Sequence, residues 1–323
     1  MELFTSTLSQ MLVLFLFIAI GFVLQKTKIV PESGAGVISK LENNLFVPAV
    51  VLSTFMQNCT VGYIKTSWRL ILFGLIVAAV TIALGLIIAK FTSKDDFIRK
   101  TYAYGLCFAN FSFMGIAVLK ALYPQFLTDY LLFTLPAQVA LYGWMIPYLL
   151  IPKENSAESG EAALTKKEKF KKKIKPFINP MFIAVLAGII IGVSGLGAIL
   201  PEFITETVKQ AGNCMSPLAM LLTGLVVAKY DLKPVLKMPS LYIVTALRLI
   251  ILPFLFGFIL KLTPLRTGVY MLVMICYVSM PLGLNTVVIP TAYGKDTSLA
   301  AGMALISHVL SVLTIPLVFM VFL

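Results

Sequence analysis

Apolar stretches long enough to cross a lipid bilayer recur along this chain with only short polar links between them, and that spacing fixes the fold class before any motif is read. A spanning helix needs about 20 mostly apolar residues. Ten such windows can be cut: Thr7–Gln25, Gly34–Met56, Trp68–Phe91, Thr101–Tyr123, Tyr130–Ile151, Pro180–Ile199, Ile204–Ala228, Leu241–Leu260, Thr267–Tyr293 and Ser298–Phe322. With 59% of the 323 residues hydrophobic and 12% charged, one water-soluble core could not bury the apolar surface, so an all-α integral membrane protein is expected. The first window follows Glu2 rather than a basic patch and has no small-x-small cleavage site after it, so it reads as a retained helix rather than a signal peptide.

A net charge of +12 would suggest nucleic acid in a soluble chain, but here its placement reports orientation, and no nucleic-acid partner is expected. With the N-terminus outside, the inside links hold 18 Lys and Arg against 6 outside, the remaining two (Lys40 and Arg248) falling within spans. That bias obeys the positive-inside rule and predicts a multi-pass protein of the plasma membrane with both termini outside. The longest polar stretch divides the windows five and five: 1–152 as a first five-helix repeat, 153–178 as a basic cytoplasmic linker, 179–323 as a second repeat. Its Lys166–Lys173 run reads as an orientation signal on a loop, with anionic lipid headgroups as the other reading. The linker ends at Asn179-Pro180, a helix start with Asn as cap and Pro at the first helical position. Cys59, Cys107, Cys214 and Cys276 are scattered with no C-x-x-C pair, so neither a disulfide framework nor a metal site is indicated.

Five spans per half require a duplicated second half to insert the opposite way round, the inverted-repeat plan of many secondary transporters. Pro48 and Pro217 stand 169 residues apart, and the same offset carries Asn110 to position 279, beside Pro281 and near Asn285. Breaks at mid-depth free backbone groups that lipid cannot pair, so they survive only against protein or a water-filled cavity. The fourth span clusters Gly105, Asn110, Ser112 and Gly115 near its middle; the ninth clusters Ser279, Pro281, Gly283, Asn285 and Thr286. If both unwind and cross, half-helix N-termini offer free N–H groups to a carboxylate. Ordinary membrane-helix composition would explain either span alone; two matched breaks favour a site.

Other residues carry open alternatives. Glu42 and Asn43 either line the cavity near the inside surface or snorkel to the interface with Lys40. Arg248 is costly inside a span and is either a gating or substrate-attracting residue or a snorkelling one. His308, the single histidine, either relays protons or bonds a neighbouring helix. Gly188 and Gly192 form a G-x-x-x-G that brings helices close, within one protomer or between two. One histidine and few buried carboxylates argue against an enzyme, and no cofactor is expected.

The segments "LENNLFVPAVVLSTF", "NFSFMGIAV", "NPMFIAVLAGIIIG" and "VSMPLGLNTVVIPTAYGKD" occur in order across the chain. On them the chain resembles the auxin efflux carrier family, whose bacterial members include malate and malonate permeases, over essentially its full length. The resemblance implies a ten-helix inverted repeat with termini outside, a homodimer through the first, second, sixth and seventh helices, and a transport unit moving elevator-fashion. Its substrate site is the crossover of helices four and nine, which maps onto Asn110, Met114, Gly115, Pro281 and Asn285; Ser112 and Ser279 join them from the residue pattern. Where the family often has Pro after "MGI", this chain has Ala117. The expected cargo is a small organic anion, a mono- or dicarboxylate. The rival is a cation/proton antiporter or sodium-coupled symporter of related crossover fold, which would want an acidic residue beside a break; neither span has one there.

Overall fold

The computed structural model describes residues 2–151 and 179–323, so the expected linker 153–178 lies outside the described residues. The helices are α1 (Glu2–Lys26), α2 (Gly34–Asn58), α3 (Val61–Ala89), α4 (Asp96–Cys107), α5 (Phe111–Leu122), α6 (Leu127–Ala140, prolonged through Leu141–Met145 and Ile146–Leu149), α7 (Pro180–Ser194), α8 (Glu202–Val227), α9 (Pro239–Lys261), α10 (Val269–Val278), α11 (Asn285–Ala292) and α12 (Ser298–Phe322). Six of them, α1, α2, α3, α8, α9 and α12, are long and apolar enough to cross a membrane. The windows expected as a fourth and a ninth span are each interrupted, as α4/α5 and α10/α11.

Local chemistry sets the starts. Asn179 Oδ1 accepts from the backbone N–H of Met181 and Phe182 at 3.0 Å ahead of Pro180, the start expected from the sequence. Asp95 Oδ1 caps α4 by accepting from Ile98 N at 2.8 Å, and Thr60 Oγ1 caps α3 by accepting from Tyr63 N at 3.2 Å.

Small residues then let the helices close on one another. A Cβ on Gly224 of α8 would stand 1.9 Å from Ile18 O of α1, and one on Gly21 of α1 would stand 2.1 Å from Leu221 O of α8. Gly188 and Gly192 of α7 seat Phe55 of α2 and Cys59 just after it in the same way. The G-x-x-x-G therefore joins two helices of one chain. The opposite faces are apolar and exposed, with Leu12, Leu16 and Ile20 on α1, Leu72 and Ile76 on α3, and Leu186 and Ile190 on α7. Such faces need lipid or a partner rather than water.

Three helices carry one widened turn, in which an N–H reaches five residues back: Val47 to Glu42 O in α2, Ile146 to Leu141 O in α6, and Leu252 to Leu247 O in α9. The next residue is a proline each time, Pro48, Pro147 and Pro253. Proline lacks an N–H and its ring crowds the carbonyl four residues back, and slipping one residue into the ladder relieves both problems. A fourth widened turn, Phe111–Gly115, opens α5, with Gly115 N–H reaching Asn110 O at 3.0 Å. Ala117 stands here where the other three turns are followed by proline, six residues from the turn's first position. The ladder of this turn also differs: Ile116 N–H, just ahead of Ala117, reaches Phe113 O three residues back.

Candidate functional site

Between Cys107 and Phe111 the backbone extends, with Phe108 at φ −127° and ψ 121°, and α10 likewise ends before Ser279. The two interruptions meet. Ala109 and Leu282 form an antiparallel bridge, and Asn110 N donates to Pro281 O at 2.7 Å. This pairing uses backbone groups that a break inside an apolar environment would otherwise strand. Behind it runs α12: Ser307 Oγ accepts from Leu282 N at 3.2 Å, and His308 Nε2 lies 3.3 Å from Asn110 Nδ2. His308 Nδ1 lies 2.7 Å from Ala304 O, so Nδ1 carries the proton and Nε2 accepts from the Asn110 amide. The histidine thus bonds the first break from α12.

Arg248 closes the other side of the breaks. It is 1% exposed and rises from the widened turn of α9, which excludes snorkelling. Its Nη1 donates to Leu106 O at 3.2 Å, its Nη2 to Tyr277 O at 3.4 Å and its Nε to Met280 O at 3.3 Å. These carbonyls belong to the ends of α4 and α10 and the residues just after, where the last turn has no intrahelical donors and the helix dipole is negative. One planar guanidinium, all donors, therefore ties both half-helix C-termini together. Among the described residues no carboxylate pairs with it.

On the N-terminal side of the same breaks lies a cleft lined by Asn110, Phe111, Ser112, Phe113, Gly283, Leu284 and Asn285 from the interrupted pair, Tyr104 and Ala109 just before the first break, Asn43 and Val47 of α2, Leu141 and Tyr142 of α6, and Met181 of α7. Three of the four widened turns feed it. Such turns tilt side chains off the regular helical stripe, which is how Asn43, Ser112 and Tyr142 come to face one space. Asn285 Nδ2 donates to Tyr104 Oη at 3.0 Å across the cleft. Among the described residues none that lines it is charged, and the space, about 30 Å³, has room for roughly one water.

Of the residues expected to bind substrate, Asn110, Ser112 and Asn285 line this cleft, and so does Asn43. The others do not. Pro281 gives only its carbonyl to Asn110, Ser279 turns its hydroxyl back to Ile275 O at 2.6 Å, and Met114 is packed in the core. Gly115 is small for a packing reason: a Cβ there would stand 2.1 Å from Tyr130 Oη, which donates to Phe111 O at 2.9 Å. Glu42 is fully buried, neither carboxylate oxygen has a hydrogen-bond partner among the described residues, and it does not line the cleft. Tyr104, Tyr142 and Met181 were not expected. Pro147, six residues past the start of its turn, was the available signal for Tyr142.

All four cysteines are free, and among the described residues no cluster of His, Cys, Asp and Glu could hold a metal ion. No curated protein matches the chain. A family model described as a membrane transport protein matches residues 6–319. With that match spanning almost all of a multi-pass chain whose two interrupted helices pair inside an apolar bundle, the protein belongs to the auxin efflux carrier family of membrane transport proteins.

Proposed function

We propose that the protein is a secondary carrier of a small organic anion, a mono- or dicarboxylate, which binds in the cleft between the interrupted helices. The observation that carries this is the uncharged cleft onto which two helix starts open, Phe111–Phe113 of α5 and Asn285 of α11. The first N–H groups of a helix lack intrahelical partners and sit at the positive dipole end, a natural seat for a carboxylate, and Asn110, Ser112 and Asn285 add neutral donors. Among the described residues no acidic one lines the cleft, which disfavours a cation-binding antiporter.

On this reading the chain makes ten traverses as two inverted five-helix repeats. The reciprocal packing supports it: α1 closes on α8 while α7 closes on α2, and the two breaks pair at matching places. The elevator movement and homodimer through α1, α2, α7 and α8 follow the family's plan. With room for about one water, the cleft is closed, and loading requires the interrupted helices to shift against α2 and α7. The protein resides in the plasma membrane with both termini outside, following the charge bias.

Uptake of radiolabelled small carboxylates into proteoliposomes tests the assignment. Asn110→Ala and Asn285→Ala should each weaken uptake about tenfold, the worth of one good hydrogen bond to a charged ligand, with reconstitution unchanged. Wild-type uptake in both variants would refute the site. A cysteine appended after Leu323 should react with an impermeant thiol reagent from outside intact cells; labelling only after lysis would refute the orientation.

A further inference from the structure

A second cleft, of about 460 Å³, opens where the end of α3, the start of α4 and the end of α6 converge, far along α4 from its break. Its mouth is cationic. Lys90 follows the last turn of α3, and Arg99 and Lys100 project from the first turns of α4. Asp96 holds the latter two side by side, its Oδ1 2.5 Å from Arg99 Nη2 and its Oδ2 2.9 Å from Lys100 Nζ. Among the described residues that line the cleft, one carboxylate faces three cations. Lys90 has no hydrogen-bond or ion-pair partner among the described residues, and Lys100 lies over the Tyr148 ring at 5.9 Å.

The floor is of the opposite character. Leu86, Ala89 and Leu149 line it. Around it, Ile87 and Phe91 at the end of α3 and Trp144 and Tyr148 on α6 are exposed. Tyr and Trp gather where hydrocarbon gives way to water, so this cleft straddles the membrane surface on the side that the charge bias places inside. A free phosphate would use the cations alone and leave the apolar floor bare.

We propose that this cleft binds an anionic phospholipid, its phosphodiester between Lys90, Arg99 and Lys100 and its first acyl carbons along Leu86 and Leu149. Cations near an anionic lipid each strengthen binding by about fivefold, so the excess of two among the described lining residues favours an anionic over a zwitterionic lipid by about thirtyfold. Occupancy bridges α3, α4 and α6, and α4 and α6 also carry Tyr104 and Tyr142 of the substrate cleft. The lipid site stands on the protein's place in a membrane and not on the identity of its cargo, so either can fail without the other.

Native mass spectrometry of the full chain, released from detergent with phosphatidylglycerol or phosphatidylcholine, tests it. The wild type should retain phosphatidylglycerol about thirtyfold more than phosphatidylcholine, and the Lys90→Gln/Arg99→Gln/Lys100→Gln variant should lose that preference. Glycerol 1-phosphate at equal concentration should not displace the lipid; displacement would show that the headgroup alone is recognised and overturn the lipid assignment. If the triple variant does not fold, Lys90→Gln alone breaks no ion pair, and it should reduce retention about fivefold, while Lys94→Gln, outside the cleft, should not. Equal retention by wild type and Lys90→Gln would overturn the proposal.

Discussion

Replacing Arg248 with Met should loosen both helix breaks at once. The guanidinium makes three hydrogen bonds to carbonyls at 3.2 to 3.4 Å, long for their kind, so each is taken at the low end for a charged group, about 1.5 kcal/mol. Their loss amounts to about 4.5 kcal/mol. Removing the cation also removes the cost of burying it, and Met fills much of the same apolar volume, which together return about 2 kcal/mol. The balance is a destabilisation of about 2–3 kcal/mol, or roughly 30- to 150-fold in the unfolding constant. Denaturation in detergent measures that shift, and hydrogen exchange locates it. Exchange should accelerate at Phe108–Asn110 and at Ser279–Leu284, the two segments that the arginine holds in register. Arg248→Lys should recover only part, because one ammonium cannot span three carbonyls that a planar fork reaches. An Arg248→Met protein with unchanged stability and unchanged exchange at both breaks would refute the reasoning.

Gly224→Val should prevent α1 from closing on α8, since even a Cβ meets Ile18 O at 1.9 Å, and a monodisperse, normally stable variant would contradict the packing. Ala117→Pro should cost less than the roughly 3 kcal/mol of an interior helix proline, because Ala117 stands six residues past the start of its widened turn, as Pro48, Pro147 and Pro253 do in theirs; a large fall in the denaturation midpoint would count against that account. Asp296, just before α12, is held below the usual carboxylate range by the hydroxyl and backbone N–H of Ser298 donating to its Oδ1. A depressed native pKa means its contribution is present at neutral pH and fades as pH falls through that lowered value. The protection factor at the start of α12, exchange divided by the intrinsic rate at each pH, should therefore fall on acidification in the wild type and show no such step in Asp296→Asn; identical protection profiles would remove Asp296 from the account.

The parts of the fold that were legible in the sequence are those written in local chemistry. Asn179-Pro180 marks a helix start because a side-chain acceptor and a residue without an N–H are what the first turn requires. The two breaks were legible because Asn, Gly and Pro in the middle of an apolar run have few structural uses, and Asn110 and Asn285 do face one cleft. What composition could not tell is which side of a broken helix faces the space. Met114 and Ser279 share the polar or small neighbourhood of the site, yet the first turn of α5 and the last turn of α10 point them into packing. Arg248 could be seen as costly but not as paired, since its partners are backbone carbonyls, one of them 142 residues away. Tyr142 looked like any aromatic of an apolar span; only the widened turn ahead of Pro147 brings it to the cleft.

The central claim is that substrate occupies the space between the interrupted helices, and protection of engineered cysteines tests it most directly. In a background with Cys59, Cys107, Cys214 and Cys276 replaced by Ala, Ser112→Cys and Asn285→Cys should be labelled by a small thiol reagent and shielded by a saturating small carboxylate, while Ser279→Cys, buried against its own helix, should react slowly with or without it. Labelling of Ser112→Cys and Asn285→Cys at the same rate in the presence and absence of every small carboxylate tried would contradict the account.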